Sequence, residues 1–219
     1  ETLSKWGKNE ILADIVRIIR TVRPDVIVML PPRGKGGGQH HQASGLLTQE
    51  AFRLAADPNQ FPDQIASGLR EWQPLKLYSR TRVGFGPTGE TQGTTQKHPP
   101  LVHIDTGHYD PILGRSYYQM GLEARSNHQC QGMGQLRAFP GSRKSVWRLE
   151  DAVITVDSNE ADLFDGVDKS LFRLKAFIAD EKNVDFVHKY LTMIEKQIHE
   201  ATVAFDATAP WKCLPSLRQ

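Results

Sequence analysis

The 219-residue sequence contains no run of about 18 apolar residues, so no segment is long and apolar enough to span a bilayer as a helix. Cysteine is scarce. Cys130 and Cys213 are too few for a disulfide framework or a cysteine-based zinc site, and they do not fix the redox compartment. A dominant charge is also missing: 27 Lys and Arg against 25 Asp and Glu leave a net +2. Nothing in that balance demands nucleic acid or an anionic membrane as partner. There is no internal repeat, no low-complexity tract and no basic-then-apolar leader. The opening Glu1-Thr2-Leu3-Ser4-Lys5-Trp6 reads as a cut end. What is present is a globular composition, 39% hydrophobic and 24% charged, which excludes a disordered or fibrous chain. This length buries a core without covalent staples and fits one domain or a domain and a half; a single domain, 1–219, with final helices at 168–205 packing on it, is the expectation.

Periodicity supplies the elements. Ile11, Ile15, Ile18, Ile19 and Val22 form an apolar stripe that predicts a helix over 9–23, with Arg17, Arg20 and Arg23 on other faces and Pro24 as its stop. Val26 to Leu30 is a short β-branched run, the mark of a strand covered on both faces in a parallel sheet. A glycine-rich loop follows, Arg33 to His41, and then a helix predicted over 42–56. Residues 57–73 read as an irregular connection. Strands are predicted over 75–79, 101–105 and 149–156, with a long loop over 84–100. Helices are predicted over 117–131, 168–180 and 184–205; the last carries Val187, Leu191, Ile194, Ile198 and Ala201 as its stripe. The alternation predicts an α/β class: a Rossmann-like layered fold with a mostly parallel sheet.

Chemistry concentrates first at His40 and His41. Their loop leaves the carboxyl end of a buried strand and enters a helix, the edge where open α/β sheets bind ligands. Glycines let backbone approach a ligand closely, and histidine is a common metal ligand. Neighbouring helical residues diverge by about 100°, so one metal takes one of the pair. The alternative is a solvated loop with two surface histidines. A phosphate-gripping loop through Arg33 and Lys35 is a further reading, although the P-loop pattern fails because Gly36 follows Lys35. His128, among polar residues at a predicted helix end, is a second candidate site or a surface residue. Asp105, His108 and Asp110 form a third, with Asp110-Pro111 equally readable as a turn.

Arg23-Pro24-Asp25-Val26-Ile27-Val28 followed by Gly36-Gly37-Gly38-Gln39-His40-His41-Gln42-Ala43-Ser44-Gly45 resembles the second conserved block of PIG-L/LmbE-type zinc deacetylases (the GlcNAc-PI de-N-acetylase type). The resemblance continues through Glu50-Ala51-Phe52, Asp57-Pro58, Phe61-Pro62-Asp63-Gln64, Trp72-Gln73-Pro74, Lys76-Leu77-Tyr78, Asp105-Thr106-Gly107, Gly114-Arg115-Ser116-Tyr117, and His128 with Gln131-Gly132-Met133. It implies zinc-dependent hydrolysis of an N-acyl amide on an amino-sugar or glycoconjugate substrate, with zinc polarising the carbonyl and activating water. It makes His41 the metal ligand, with His40 as the alternative register. Arg115, Tyr117 and His128 become candidate catalytic or pocket residues.

The family's early His-Pro-Asp-Asp motif, source of two ligands and the general base, is absent from these 219 residues. The N-terminal βα unit that carries it is therefore expected to be missing. The rival reading is a non-catalytic carbohydrate- or ligand-binding protein on the same scaffold, with Trp72, Tyr78, Tyr117, Tyr118 and Trp147 lining a groove. Long members of the family are often exported bacterial proteins, yet compartment and oligomeric state stay open.

Overall fold

The computed structural model describes residues 1–32, 38–81, 101–134, 138–178 and 181–218. The order is α1 (Thr2–Trp6), α2 (Lys8–Val22), β1 (Val26–Met29), α3 (Gln39–Leu54), α4 (Pro62–Ala66), β2 (Lys76–Thr81), β3 (Leu101–Asp105), β4 (Tyr109–Asp110), β5 (Arg115–Ser116), α5 (Tyr117–Ser126), β6 (Lys144–Ala152), α6 (Val184–Ala204) and α7 (Leu214–Leu217). They fall into two compact units, Glu1–His108 with Gly141–Val167, and Tyr109–Pro140 with Asp168–Gln219.

The first unit is built on a four-stranded sheet ordered β1-β2-β6-β3. β1 runs parallel to β2, and β6 runs antiparallel to both β2 and β3. Three of the four strands therefore point the same way, which is the expected mixed α/β layered architecture. On one face Leu12, Val16 and Ile19 of α2 interlock with Leu47, Ala51 and Ala55 of α3, and Ile27 joins this cluster to Met29, Phe52 and Leu77. On the other face Tyr78, Val102 and Leu163 form the core, with Val26, Ile104, Trp147 and Leu149 around them.

Several elements shift from the sequence expectation. The face of α2 that is buried carries Leu12, Val16, Ile19 and Arg20, whereas Ile18 and Val22 of the predicted stripe are 60% and 67% exposed. The apolar stripe is wide, so period alone does not say which part of it is covered. α3 starts at Gln39, three residues early. The extended Gly38 caps it, its carbonyl accepting from the His41 and Gln42 amides at 3.0 and 3.3 Å, and so both histidines lie in the first turn. β6 occupies Lys144–Ala152 rather than 149–156, because β3 pairs with its first half, from Asp105 opposite Lys144 to Leu101 opposite Arg148. The predicted loop over 84–100, and Arg33 and Lys35, lie outside the described residues.

Arg20 organises the turn after α3. It is fully buried. Its Nε donates to the Ala55 carbonyl at 3.1 Å, Nη1 to the Phe61 carbonyl at 3.4 Å and Gln64 Oε1 at 3.2 Å, and Nη2 to the Asp57 carbonyl at 2.7 Å. Gln64 in turn donates to the Ala13 carbonyl at 2.8 Å. The Asp57-Pro58 and Phe61-Pro62-Asp63-Gln64 segments thus shape a cradle for one guanidinium. Burial lowers the Arg20 pKa, against the attraction of Glu71 and Asp57.

In the second unit β4 and β5 form a short antiparallel hairpin. α5 opens with a capping box: Ser116 Oγ accepts from the Gln119 amide at 3.3 Å, while Gln119 Oε1 accepts from the Ser116 amide at 2.8 Å. It ends at Ser126, short of the predicted 131, and Gln129–Gln131 form a 3₁₀ turn closed by left-handed Gly132. The predicted helix over 168–180 is a 3₁₀ segment, Leu171–Phe177. α6 matches its expected span. Leu191 and Ala201 of its stripe are buried, while Ile194 and Ile198 remain exposed.

Candidate functional site

The carboxyl ends of β1, β2 and β3 share one rim of the first unit, because these three strands run the same way. α3 enters from that rim after β1. Its approach depends on Gly45. A Cβ there would stand 2.4 Å from the Leu30 carbonyl oxygen and 3.0 Å from the Pro32 nitrogen, so only a hydrogen lets the helix lie this close to the strand exit. The close packing places the first turn of α3, and with it His40 and His41, beside the end of β1.

The two histidines have different surroundings. The His40 ring stacks on the indole of Trp6, with centroids 4.9 Å apart and planes 12° from parallel. That contact ties α3 to α1 and gives His40 a packing role. The His41 ring is exposed, and its chain is fixed by the backbone hydrogen bond to Gly38. Asp105 ends β3 at the same rim, but β2 and β6 stand between β1 and β3. Three strand spacings of about 4.8 Å make a separation of roughly 14 Å, too wide for one metal ion to take both. Asp105 serves a turn instead. Its Oδ1 accepts from the Gly107 amide at 2.8 Å and the Arg143 amide at 2.7 Å. A hydrogen bond from Ser142, then those two amides, hold its carboxyl below the usual carboxylate range. Asp110 likewise accepts from the Ile112 and Leu113 amides at 2.8 and 3.0 Å, so the turn reading of Asp110-Pro111 is the observed one.

Arg115, Tyr117 and His128 belong to the second unit. The Arg115 guanidinium pairs with Glu123. The Tyr117 hydroxyl donates to Asp110 Oδ2 at 3.3 Å. His128 Nδ1 lies 3.1 Å from the Arg125 carbonyl. A carbonyl only accepts, so the ring proton sits on Nδ1 and Nε2 is the basic nitrogen. All three residues are exposed except where Tyr117 and Arg115 meet these partners.

Of the aromatic residues expected along a groove, Trp72 and Tyr78 are structural. Trp72 packs against the α2–α3 core and its Nε1 donates to the Pro24 carbonyl at 2.7 Å. Tyr78 is fully buried, its hydroxyl donating to Glu160 Oε2 at 2.6 Å. Burial first, then that hydrogen bond, push the phenol pKa upward. Lys76 Nζ reaches the other Glu160 oxygen at 2.5 Å and the Asp165 carbonyl at 2.9 Å. This buried trio fastens the segment after β6 to β2. Sequence reading passed over Glu160, whose partners lie more than 80 positions away; an apolar strand opening on a lysine was the available signal. Both cysteines are free thiols.

Among the described residues no three His, Cys, Asp or Glu side chains converge on one point. A catalytic zinc takes three protein ligands, so the described residues do not fit a complete zinc site, and His41 can serve as one ligand at most. No helix of the described residues is long and apolar enough to cross a membrane.

No family model matches the chain. It is 43% identical over 70 residues to the 1D-myo-inositol 2-acetamido-2-deoxy-alpha-D-glucopyranoside deacetylase 2 of Frankia casuarinae, covering 32% of this chain and 21% of that protein. Deacetylase 1 of the same organism is 28% identical over 178 residues, covering 70% of this chain and 57% of the relative. The corresponding deacetylase of Thermobispora bispora is 36% identical over 70 residues, 32% of this chain and 21% of the relative. The chain thus spans between about a fifth and just over half of the length of these relatives. Over those stretches it is similar to deacetylases whose names specify an acetamido sugar.

Proposed function

We propose that this chain is part of a PIG-L/LmbE-type N-deacetylase that hydrolyses an acetamide on an amino-sugar-like substrate, and that both units belong to one such domain. The observation that carries the reading is the likeness to three acetamido-sugar deacetylases in a chain whose glycine-led histidine pair stands at the carboxyl rim of a mostly parallel sheet. In the reaction water adds to the acetyl carbonyl, the C–N bond breaks, and acetate and the free amine leave. His41 is the metal ligand this chain contributes, while His40 is held by Trp6. The remaining ligands and the general base come from outside the described residues. Arg115, Tyr117 and His128 are proposed to meet substrate: the guanidinium and phenol as hydrogen-bond donors, and His128 through Nε2 as a proton carrier.

Zinc content and acetate release from a 2-acetamido-2-deoxyglucosyl inositol test this directly, in the product of the complete reading frame beside the 219-residue chain. Stoichiometric zinc and turnover are expected in the former, with both lost in His41→Ala. A complete product that binds the sugar without releasing acetate selects the carbohydrate-binding alternative.

A further inference from the structure

We infer that Glu150, turned out of the sheet ladder by a β-bulge and held by Ser79, is a substrate-binding carboxylate that accepts hydrogen bonds from sugar hydroxyls. The inference deepens the deacetylase reading and rests on it for the identity of the sugar.

The strand register isolates this residue. β2 and β6 pair Leu77 with Asp151 and Tyr78 with Leu149, which leaves Glu150 as an extra residue in the ladder. A bulge sets two residues of one strand against one of the other and re-aims a side chain. Here it brings two successive carboxylates to the α3 face. Asp151 has a structural task there: it accepts from Arg53 Nε at 2.9 Å and Arg53 Nη2 at 2.5 Å, which fastens the end of α3. Glu150 Oε1 accepts from Ser79 Oγ at 2.5 Å, and among the described residues no other hydrogen bond reaches its side chain.

The sheet face around the pair changes character along β2. Leu77 packs against Phe52 of α3. Further along the same face come Ser79 and Thr81, because side chains alternate with a period of two. Arg148 stands opposite Ser79, and its Nη2 donates to Thr81 Oγ1 at 3.5 Å. Ser79 is 3% exposed, Glu150 is half-buried and Arg148 is exposed. A carboxylate, two hydroxyls and a guanidinium therefore form a polar shelf where the face leaves the cover of α3. An ionised carboxylate has about four acceptor positions, and one is taken. Arg148 supplies donors beside it and balances its charge, an inventory that fits the hydroxyls of an uncharged sugar.

The shelf lies at the candidate site. Ser79 is level with Met29, the last residue of β1, and the chain leads from there to His41. β6 is two strand spacings from β1, about 10 Å. An acetamido sugar covers such a width with its acetyl group toward His41 and its ring hydroxyls at Glu150.

The test reads binding apart from turnover in the product of the complete reading frame, with methyl 2-acetamido-2-deoxyglucopyranoside as the probe. Amide resonances of Ser79, Arg148 and Glu150 are expected to shift on titration with the sugar in the unaltered protein, a measurement that needs no variant. Glu150→Gln is expected to weaken binding about tenfold, the size of a hydrogen bond to a charged group. For a 2-acetamido-2-deoxyglucosyl inositol it should raise KM with kcat nearly unchanged, the mark of a residue that binds rather than reacts. Asp151→Asn, which loosens Arg53 instead, should lower the melting temperature and leave sugar affinity unchanged. Unshifted amides, or full affinity in Glu150→Gln, overturn the proposal even where acetate is released. Binding that depends on Glu150 in a product that releases no acetate upholds it while the deacetylase reading fails.

Discussion

Replacing Arg20 by methionine keeps the apolar stem against α3 but strips the donors from the carbonyls of Ala55, Asp57 and Phe61. Each buried acceptor left unpaired costs about 1–3 kcal/mol, so a loss of at least about 3 kcal/mol is expected. Urea unfolding checks it: the midpoint falls while the slope stays unchanged. Asp206 gives a pH prediction. Its carboxyl accepts from Lys212 Nζ at 2.7 Å and from the Thr208 hydroxyl and amide at 2.6 and 2.9 Å. These bonds, the Lys212 one foremost, lower its pKa from 3.8 to about 2. A carboxyl depressed in the folded state stabilises above its unfolded value and loses that contribution as pH falls through its folded value. The turn from α6 into Pro210–Cys213 is therefore expected to loosen between about pH 4 and pH 2. Amide shifts of Thr208 and Ala209 followed by NMR would show the transition, and Asp206→Asn would abolish it.

Among the elements, the segment after β6 depends on a buried ion pair, Lys76 and Glu160, with side chains 0% and 2% exposed. Glu160→Ala leaves an ammonium and a phenol without their acceptor and is expected to cost about 3–5 kcal/mol. Replacing the trio together, with Lys76→Met, Tyr78→Phe and Glu160→Leu, should recover most of that loss, since a well-packed apolar set often matches a buried pair. Thermal unfolding of the single and triple variants makes the comparison. α3 responds to the opposite defect. Gly45→Ala pushes a methyl into the Leu30 carbonyl, so overpacking should cost about 1–3 kcal/mol and move the first turn of α3 away from β1. Loss of the Trp6–His40 stacking, read from tryptophan fluorescence, would accompany the shift.

For the molecule as a whole, local pattern revealed the layers but not the long-range polar contacts. The span of α6 and the strand at Leu101–Asp105 followed from period and composition alone. The covered side of α2 did not, because its apolar residues form one wide stripe, from Ile18 and Val22 through Ile11 and Ile15 to Leu12 and Val16, of which only part is buried. Nothing in the period sets Arg20 apart from Arg17 and Arg23, which also stand off the apolar stripe, since its carbonyl partners are set by how the chain turns after Leu54. At the candidate site a helix after the glycines was legible from the preceding strand, but its start was not: the expectation left His40 and His41 in the loop, whereas α3 takes both into its first turn. The stacking of His40 was not, because Trp6 lies 34 positions earlier on a separate short helix.

The cradle around Arg20 has a consequence for how sequences of this type can vary. Ala55, Asp57 and Phe61 hold the guanidinium through main-chain oxygens. Drift at those three sites leaves the grip intact as long as the chain keeps its path. Position 20 has no such latitude: the shorter reach and single ammonium of lysine cannot serve acceptors arrayed around a plane, so a natural library should be permissive on the loop and invariant at the arginine.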